Sequence, residues 1–355
     1  MILFNIWLFT TLLCVFYYIF LRIFIIFHWT PTNVTIFATI LASCIILTFN
    51  YKWENKLIDF IKIINNWLIW LGWIIFLILL IEHFISIRYT INPRIIVLIV
   101  LLVLILWTFC SLHTKTKRLN IDTNKINKDI RILLVSDIHV DWILTTFHLN
   151  KIKKAIIKEK PNFVLIAWDL ITQPNHQYTE YFSVLKSINN TPIYVVIWNH
   201  DAMCNKEIIA DIQKKSGIVF LNNESTKYIY SKKDYIQIIG VVDKKLWWNR
   251  SISEILDKIK IENKKNVYTI LISHRPIKLE NFDNYPIDLE VAGHTHNWQF
   301  YGIRTRISLL NDYLYWKHEY HWKLAFVTQW IWTWRFLLFR LWTQSEMVII
   351  NLKKK

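Results

Sequence analysis

The chain is poor in glycine: its 355 residues contain Gly 5, where ordinary usage of about 7% would give roughly 25. It is also poor in cysteine and in acidic side chains. Cys14, Cys44, Cys110 and Cys204 stand singly. Three of them lie in apolar runs, where a small hydrophobe is the expected role, so a disulfide framework and zinc-finger spacing are both excluded. The redox compartment stays open. No basic segment precedes the first apolar run, and further runs follow it, so that run is expected to be retained rather than cleaved as a signal. Internal repeats and low-complexity tracts are absent.

What the chain does have is long apolar runs. Hydrophobic residues make up 54% of it and gather early, over 2–27, 34–49, 67–87 and 94–112. The expectation is an α-helical transmembrane region over 1–112 with about four helices, and multi-pass placement in the cell membrane. A bilayer core of about 30 Å takes roughly 20 helical residues; the second run is shorter, so three spans and a re-entrant piece is the alternative. Glu82, His83 and Arg88 close the third run, where snorkelling to the interface accounts for them. The net charge is +16, with 11 basic and 4 acidic residues in 1–128 against 31 and 22 in the remainder. Such a spread fits attraction to anionic lipid headgroups or to a phosphorylated small molecule better than a nucleic-acid groove, which concentrates its basic residues. Oligomeric state is not legible.

Residues 113–128, rich in Lys, Thr and Asn, read as a polar linker, and 129–355 as a single domain. Within it Ile130–Val135 and Phe163–Ala167 read as strands, and Phe147, Leu149, Ile152, Ala155 and Ile156 keep helical spacing between them. Helices are expected over Tyr178–Ile188, Lys206–Lys215 and Ser251–Lys260, the last with a serine cap. Further strands are expected at Ile193–Ile197, Ile218–Leu221, Tyr228–Tyr230, Ile236–Val242, Val267–Ile272, Leu289–Ala292, Phe326–Thr328 and Met347–Leu352. Alternation followed by successive strands predicts two packed sheets flanked by helices.

At the ends of these strands stand Ser136-Asp137-Ile138-His139, Ala167-Trp168-Asp169, Trp198-Asn199-His200-Asp201, Ser273-His274 and Gly293-His294-Thr295-His296. Loops at strand ends converge on one sheet edge. There Asp137 and His139 can turn toward one ion, and the Asp169 carboxylate can bridge two ions roughly 3.5 to 4 Å apart. Mixed Asp, His and Asn donors suit Mn, Fe or Zn better than calcium. His113, His148, His176, His318 and His321 read as ordinary surface or core histidines, and Asp141 and Asp243 as solvated loop charges.

In their order and spacing these blocks resemble the calcineurin-like metallophosphoesterases, whose pattern reads DxH, GDx, GNHD/E, H and GHxH. The resemblance spans about residues 129–353. It implies a four-layer α/β/β/α sandwich and two divalent metal ions as cofactors. One ion would take Asp137, His139, Asp169 and His296, and the other Asp169, Asn199, His274 and His294. It also implies that His200 protonates the leaving group, with Asp201 orienting its imidazole, in the hydrolysis of a phosphoric ester or diphosphate. Gln329 to Thr333, followed by Arg335, Arg340 and Glu346, resembles the closing segment of the membrane-anchored members, although Ser345 stands where proline is usual. Arg340 reads equally as a phosphate clamp and as an ion-pair partner of Glu346. Relatives that hydrolyse lipid-linked sugar nucleotides, such as UDP-diacylglucosamine, make a lipid-linked substrate the expectation. Charge counting places the domain in the cytoplasm, whereas the resemblance favours the outer side for many multi-span members; both readings stand.

Trp168 and Trp198 occupy slots where the family pattern has glycine and where the backbone approaches the metals closely, a job for a residue without Cβ. Gly 5 and Trp 19 together nearly equal the glycine count expected alone. The reading is that many tryptophans, Trp298, Trp330, Trp332 and Trp342 among them, are glycines in the organism, through a codon that two translation tables read differently. If they are indoles, a catalytically inactive membrane receptor or scaffold is the alternative function, and a nuclease of the same fold is a third. Peptide mass spectrometry of the native protein should return glycine masses at positions 168 and 198; tryptophan masses there would refute the codon reading.

Overall fold

The computed structural model describes residues 93–355 except 139, 141–144, 168–169, 171–175, 189, 197–205, 243–250, 296–310, 330 and 332–343, together with scattered residues between 10 and 83. Contacts divide the chain into two units, one of 1–109 with 334–339 and one of 110–333 with 340–355. In the first unit the described residues are helical and pack on one another. A Cβ on Gly72 would lie 2.7 Å from Phe16 Cε1, and the Tyr18 and Phe76 rings meet edge-on at 5.2 Å. Most of the four expected spans lie outside the described residues. Among the described residues no helix is long and apolar enough to cross a membrane; along the 20-residue helix Pro93–Leu112 only part of the side chains are described.

The second unit holds twelve described strands: β1 Thr114–Thr123, β2 Ile130–Ser136, β3 Phe163–Ala167, β4 Ile193–Val196, β5 Val219–Leu221, β6 Glu224–Ile229, β7 Tyr235–Val241, β8 Tyr268–Ser273, β9 Leu289–Ala292, β10 Trp316–Tyr320, β11 Lys323–Val327 and β12 Ser345–Lys354. They form two six-stranded sheets, ordered β1-β12-β2-β3-β4-β5 and β10-β11-β9-β8-β7-β6. In the first sheet β2 to β5 run parallel; in the second β7, β8, β9 and β11 do.

Side-chain alternation builds the layers. Ile130, Ile132, Leu134, Phe163 and Leu165 of one sheet meet Ile236, Ile238, Ile270, Ile272 and Val291 of the other in the central core. The intervening residues Leu133, Val135, Val164 and Ile166 face outward onto Leu149, Ile152 and Ile156 of the helix Thr145–Glu159 and onto Ile208 and Ile212 of the helix Lys206–Ser216. On the far side Ile239, Val241 and Leu271 are covered by Ile252, Ile255 and Leu256. The predicted α/β/β/α order of layers is therefore present. Strands buried on both faces read as continuous apolar runs, and each fully buried Ile or Leu contributes about 1.5–3 kcal/mol.

Several predicted elements differ. The segment read as a polar linker contains β1, ten residues paired in parallel with β12. The helix expected over Tyr178–Ile188 is a 3-10 helix His176–Phe182 followed by one turn, Ser183–Lys186. The helix after Ser251 is only Ile252–Leu256, but its serine caps as expected: Ser251 Oγ accepts from Glu254 N–H, and the Glu254 carboxylate accepts in return from Ser251 N–H, a reciprocal box that satisfies two otherwise orphan donors. Phe147, read on the apolar face of its helix, is exposed and lies under the Lys151 ammonium at 4.3 Å.

Where β7 crosses the first sheet, Gly240 sets the spacing. A Cβ there would meet Leu221 Cβ at 2.4 Å and Val196 Cγ2 at 2.7 Å, atoms that cannot swing away. Gly240→Ala should therefore lower the denaturation midpoint in urea by an amount equivalent to about 1–3 kcal/mol with the slope unchanged; an unaltered midpoint would show that the sheets separate freely at this point.

Candidate metal centre

The strands bring their exits to one place. β2 ends at Ser136 beside Ala167, the end of β3, while β8 ends at Ser273 and β9 at Ala292. The two sheets meet at Gly293. A Cβ on it would lie 2.8 Å from Asp137 Oδ2, 3.1 Å from Ser136 Cβ and 3.4 Å from the Ala167 carbonyl oxygen. Three segments far apart in sequence thus touch at one residue. A fourth joins them, because Thr328 N–H donates to Ala292 O at 2.9 Å and Ile331 N–H to Ser136 O at 3.3 Å.

Of the expected ligands, Asp137, His274 and His294 lie among the described residues. Gly293 N–H donates to His274 O at 3.2 Å, and the His274 and His294 rings stand edge to face with centroids 4.5 Å apart. Asp137 and His274 are buried. His139, Asp169, Asn199 and His296, like His200 and Asp201, lie outside the described residues, as do Asp141, Asp243, Arg340 and the motif tryptophans. Among the described residues no group of three or more His, Cys, Asp or Glu is gathered closely enough to hold a metal ion. The three that are described nevertheless sit on strand exits joined by the Gly293 contacts.

Backbone conformation marks two of them. Asp137 has φ +52° and His294 φ +67°, a region that costs a non-glycine residue of order 1–3 kcal/mol and is concentrated at functional sites. The left-handed residue of the Gly293 block is His294, and Gly293 leaves space for the Asp137 carboxylate.

Buried Glu290 escaped the sequence reading, and Glu346 was read there only as a partner for Arg340. Glu346 accepts from Thr328 Oγ1 at 3.0 Å, Gln329 N–H at 3.0 Å, Gln329 Nε2 at 2.8 Å and Tyr315 Oη at 2.9 Å, and pairs with Lys117 at 3.2 Å. Its described ion-pair partner is thus Lys117, on the segment taken for a linker. Glu290, fully buried in β9, accepts from Ser273 Oγ at 2.5 Å and Ile277 N–H at 2.9 Å. An acid inside the four-residue apolar strand Leu289–Ala292 was the available signal. His148 is buried in the helix-covered core layer and His318 stacks on Tyr313 at 4.3 Å, as ordinary structural histidines do.

Desolvation pushes the Glu290 carboxyl up from its ordinary 4.5 to about 8, with Asp312 adding to the rise and the Ser273 and Ile277 hydrogen bonds opposing it. The folded state then holds a proton that the unfolded chain releases, so this group's contribution is full below pH 4.5 and is lost as pH rises toward 8. Measured by chemical denaturation, Glu290→Gln should match the parent in acid and gain on it by up to about 1.4 kcal/mol per pH unit through that window. A constant difference between the two would refute the protonated state.

Comparison with known proteins places these features. Residues 130–298 match the calcineurin-like phosphoesterase family. An uncharacterized metallophosphoesterase of Campylobacter jejuni is 25% identical over 264 residues, 73% of this chain and 69% of that protein. One from Helicobacter pylori is 25% identical over 209 residues, 58% and 55% of the two chains. The phosphodiesterase YaeI of Escherichia coli is 25% identical over 177 residues, 48% and 61%. The chain therefore matches between about half and two thirds of these relatives' lengths. Together they support a calcineurin-like metallophosphoesterase domain in this chain, and phosphoesterase activity at the level of the family.

Proposed function

We propose that this domain is a dinuclear-metal phosphoesterase, held at the membrane by residues 1–112, that hydrolyses phosphoric ester or diphosphate bonds of a lipid-linked small molecule. The observation that carries the reading is the contact of Gly293 with Asp137, which joins an acid-bearing exit of one sheet to the two histidine-bearing exits of the other. The donor set fits divalent cations. A buried carboxylate lies close beside Gly293, and two imidazoles stand within one ring contact of each other. Carboxylate oxygens and imidazole nitrogens are ligands for Mn, Fe or Zn.

Asp137, His274 and His294, with His139, Asp169, Asn199 and His296, would hold the ions. Divalent metal bound there would neutralise charge on the phosphoryl oxygens and activate water for in-line attack. The chain's own share is positional and protonic. The strained turns at Asp137 and His294 fix the donors before substrate arrives, His200 gives its proton to the departing oxygen, and Asp201 holds the imidazole in the orientation for that transfer.

Membrane attachment rests on the apolar runs before residue 113 and on the helix Pro93–Leu112. There Ile95, Leu98, Leu102, Ile105 and Phe109 are exposed at alternating three- and four-residue spacing. A site carried beside a membrane meets lipid-linked substrates at high local concentration, which supports that substrate class.

The test uses the purified full-length protein in detergent with manganese, offered bis-p-nitrophenyl phosphate, a lipid diphosphate and DNA. The lipid diphosphate should be hydrolysed fastest. His274→Ala should lose bound metal and activity together, whereas His200→Ala should keep its metal and lose about 10²–10⁴ in turnover. Wild-type protein that binds metal but hydrolyses none of the three would defeat the proposal, and joint loss of metal and activity in His200→Ala would defeat the role given to that histidine.

A further inference from the structure

One strand braces both histidine turns. β9 runs straight into Gly293 and His294, and it also holds the turn that carries His274 at three points. The Glu290 carboxyl accepts from Ser273 Oγ at 2.5 Å, one residue before the histidine, and from Ile277 N–H at 2.9 Å, three residues after it. Gly293 N–H takes the His274 carbonyl itself at 3.2 Å. Glu290 stands opposite Leu271 on one neighbouring strand and Ala325 on the other, on the face packed with Ile239, Val241 and Leu279. A carboxyl in such apolar surroundings is costly unless its bonds serve a purpose.

We propose that Glu290 is a positioning residue for the candidate metal centre, its buried carboxyl strapping the Ser273–Ile277 turn so that the His274 imidazole stays set against His294. The inference rests on the metallophosphoesterase reading and adds to it a residue that bonds to the turn carrying His274, outside the expected ligand set. The hydroxyl of Ser273 lies 3.1 Å from Arg275 O as well as 2.5 Å from Glu290, and its single hydrogen can serve one acceptor at a time. Of the two acceptors the Glu290 carboxyl lies closer, so the hydroxyl hydrogen goes to Glu290. The backbone on both sides of His274 is thereby fixed to β9.

Three variants of the full-length protein test it: Glu290→Leu, Glu290→Gln and Ser273→Ala, each titrated with manganese alone by calorimetry at a temperature where circular dichroism shows it folded. A role confined to stability would lower the melting temperature and leave the dissociation constant of the folded protein unchanged. The positioning role predicts that Glu290→Leu weakens manganese binding about tenfold or more, in the range seen when supports of metal ligands are removed. Ser273→Ala should weaken it less, and Glu290→Gln, which keeps an acceptor and a donor in place, should restore it to within about threefold. Parent-like affinity in Glu290→Leu overturns the inference alone, as does parent-like affinity in Ser273→Ala should Glu290→Leu fail to fold. Absence of manganese binding in the parent overturns the metallophosphoesterase reading and the inference with it.

Discussion

Everything at the candidate centre depends on the approach of the β9 exit to the β2 exit. A Cβ at Gly293 would crowd Asp137 Oδ2 at 2.8 Å and Ser136 Cβ at 3.1 Å, and this approach brings the acid of one sheet to the histidines of the other. The large apolar interior supplies the force. Residues on the facing surfaces of the two sheets are almost wholly removed from water, and that burial holds the edges together against the cost of two left-handed turns and buried carboxyl groups.

Those costly features are distributed with a pattern. Glu290 ties the exit of β8, and Glu346 ties the exit of β11 through Thr328 and Gln329, next to the bonds from Thr328 and Ile331 to Ala292 and Ser136. Glu290 sits within an otherwise apolar strand and holds the loop of neighbouring β8, whereas Glu346, the second residue of β12, reaches the loop that follows β11 of the other sheet. Rigid elements carrying loops fixed by buried hydrogen bonds are what a preorganised site requires. The interior therefore gives up some apolar packing at the edge where geometry matters.

Much of this was legible in the sequence, and the exceptions share a cause. Phe163–Ala167 and Leu289–Ala292 were read with the bounds the structure gives, because strands covered on both faces are unbroken apolar runs between polar turns. β1 and β10 were missed. Both are edge strands, β1 burying only Leu119 and Ile121 and β10 leaving its residues half-buried or exposed, so neither shows an apolar run. The site was legible as an order of Asp, His and Asn at strand ends, since ligand chemistry restricts residue type. The roles of Glu290 and Glu346 were not legible, because a buried acid takes its meaning from partners 13 to 18 residues away or more, and only the packed sheets reveal them.

The functional reading joins that edge to a membrane-proximal phosphoesterase through the donors it collects. Its central claim is that Asp137, His274 and His294 serve one metal centre. Anomalous diffraction at the manganese edge from crystals of the full-length protein grown with manganese measures this directly. The account predicts metal peaks at coordination distance from the Asp137 carboxylate and from both imidazoles; peaks found elsewhere, with these three side chains bearing none, would contradict it.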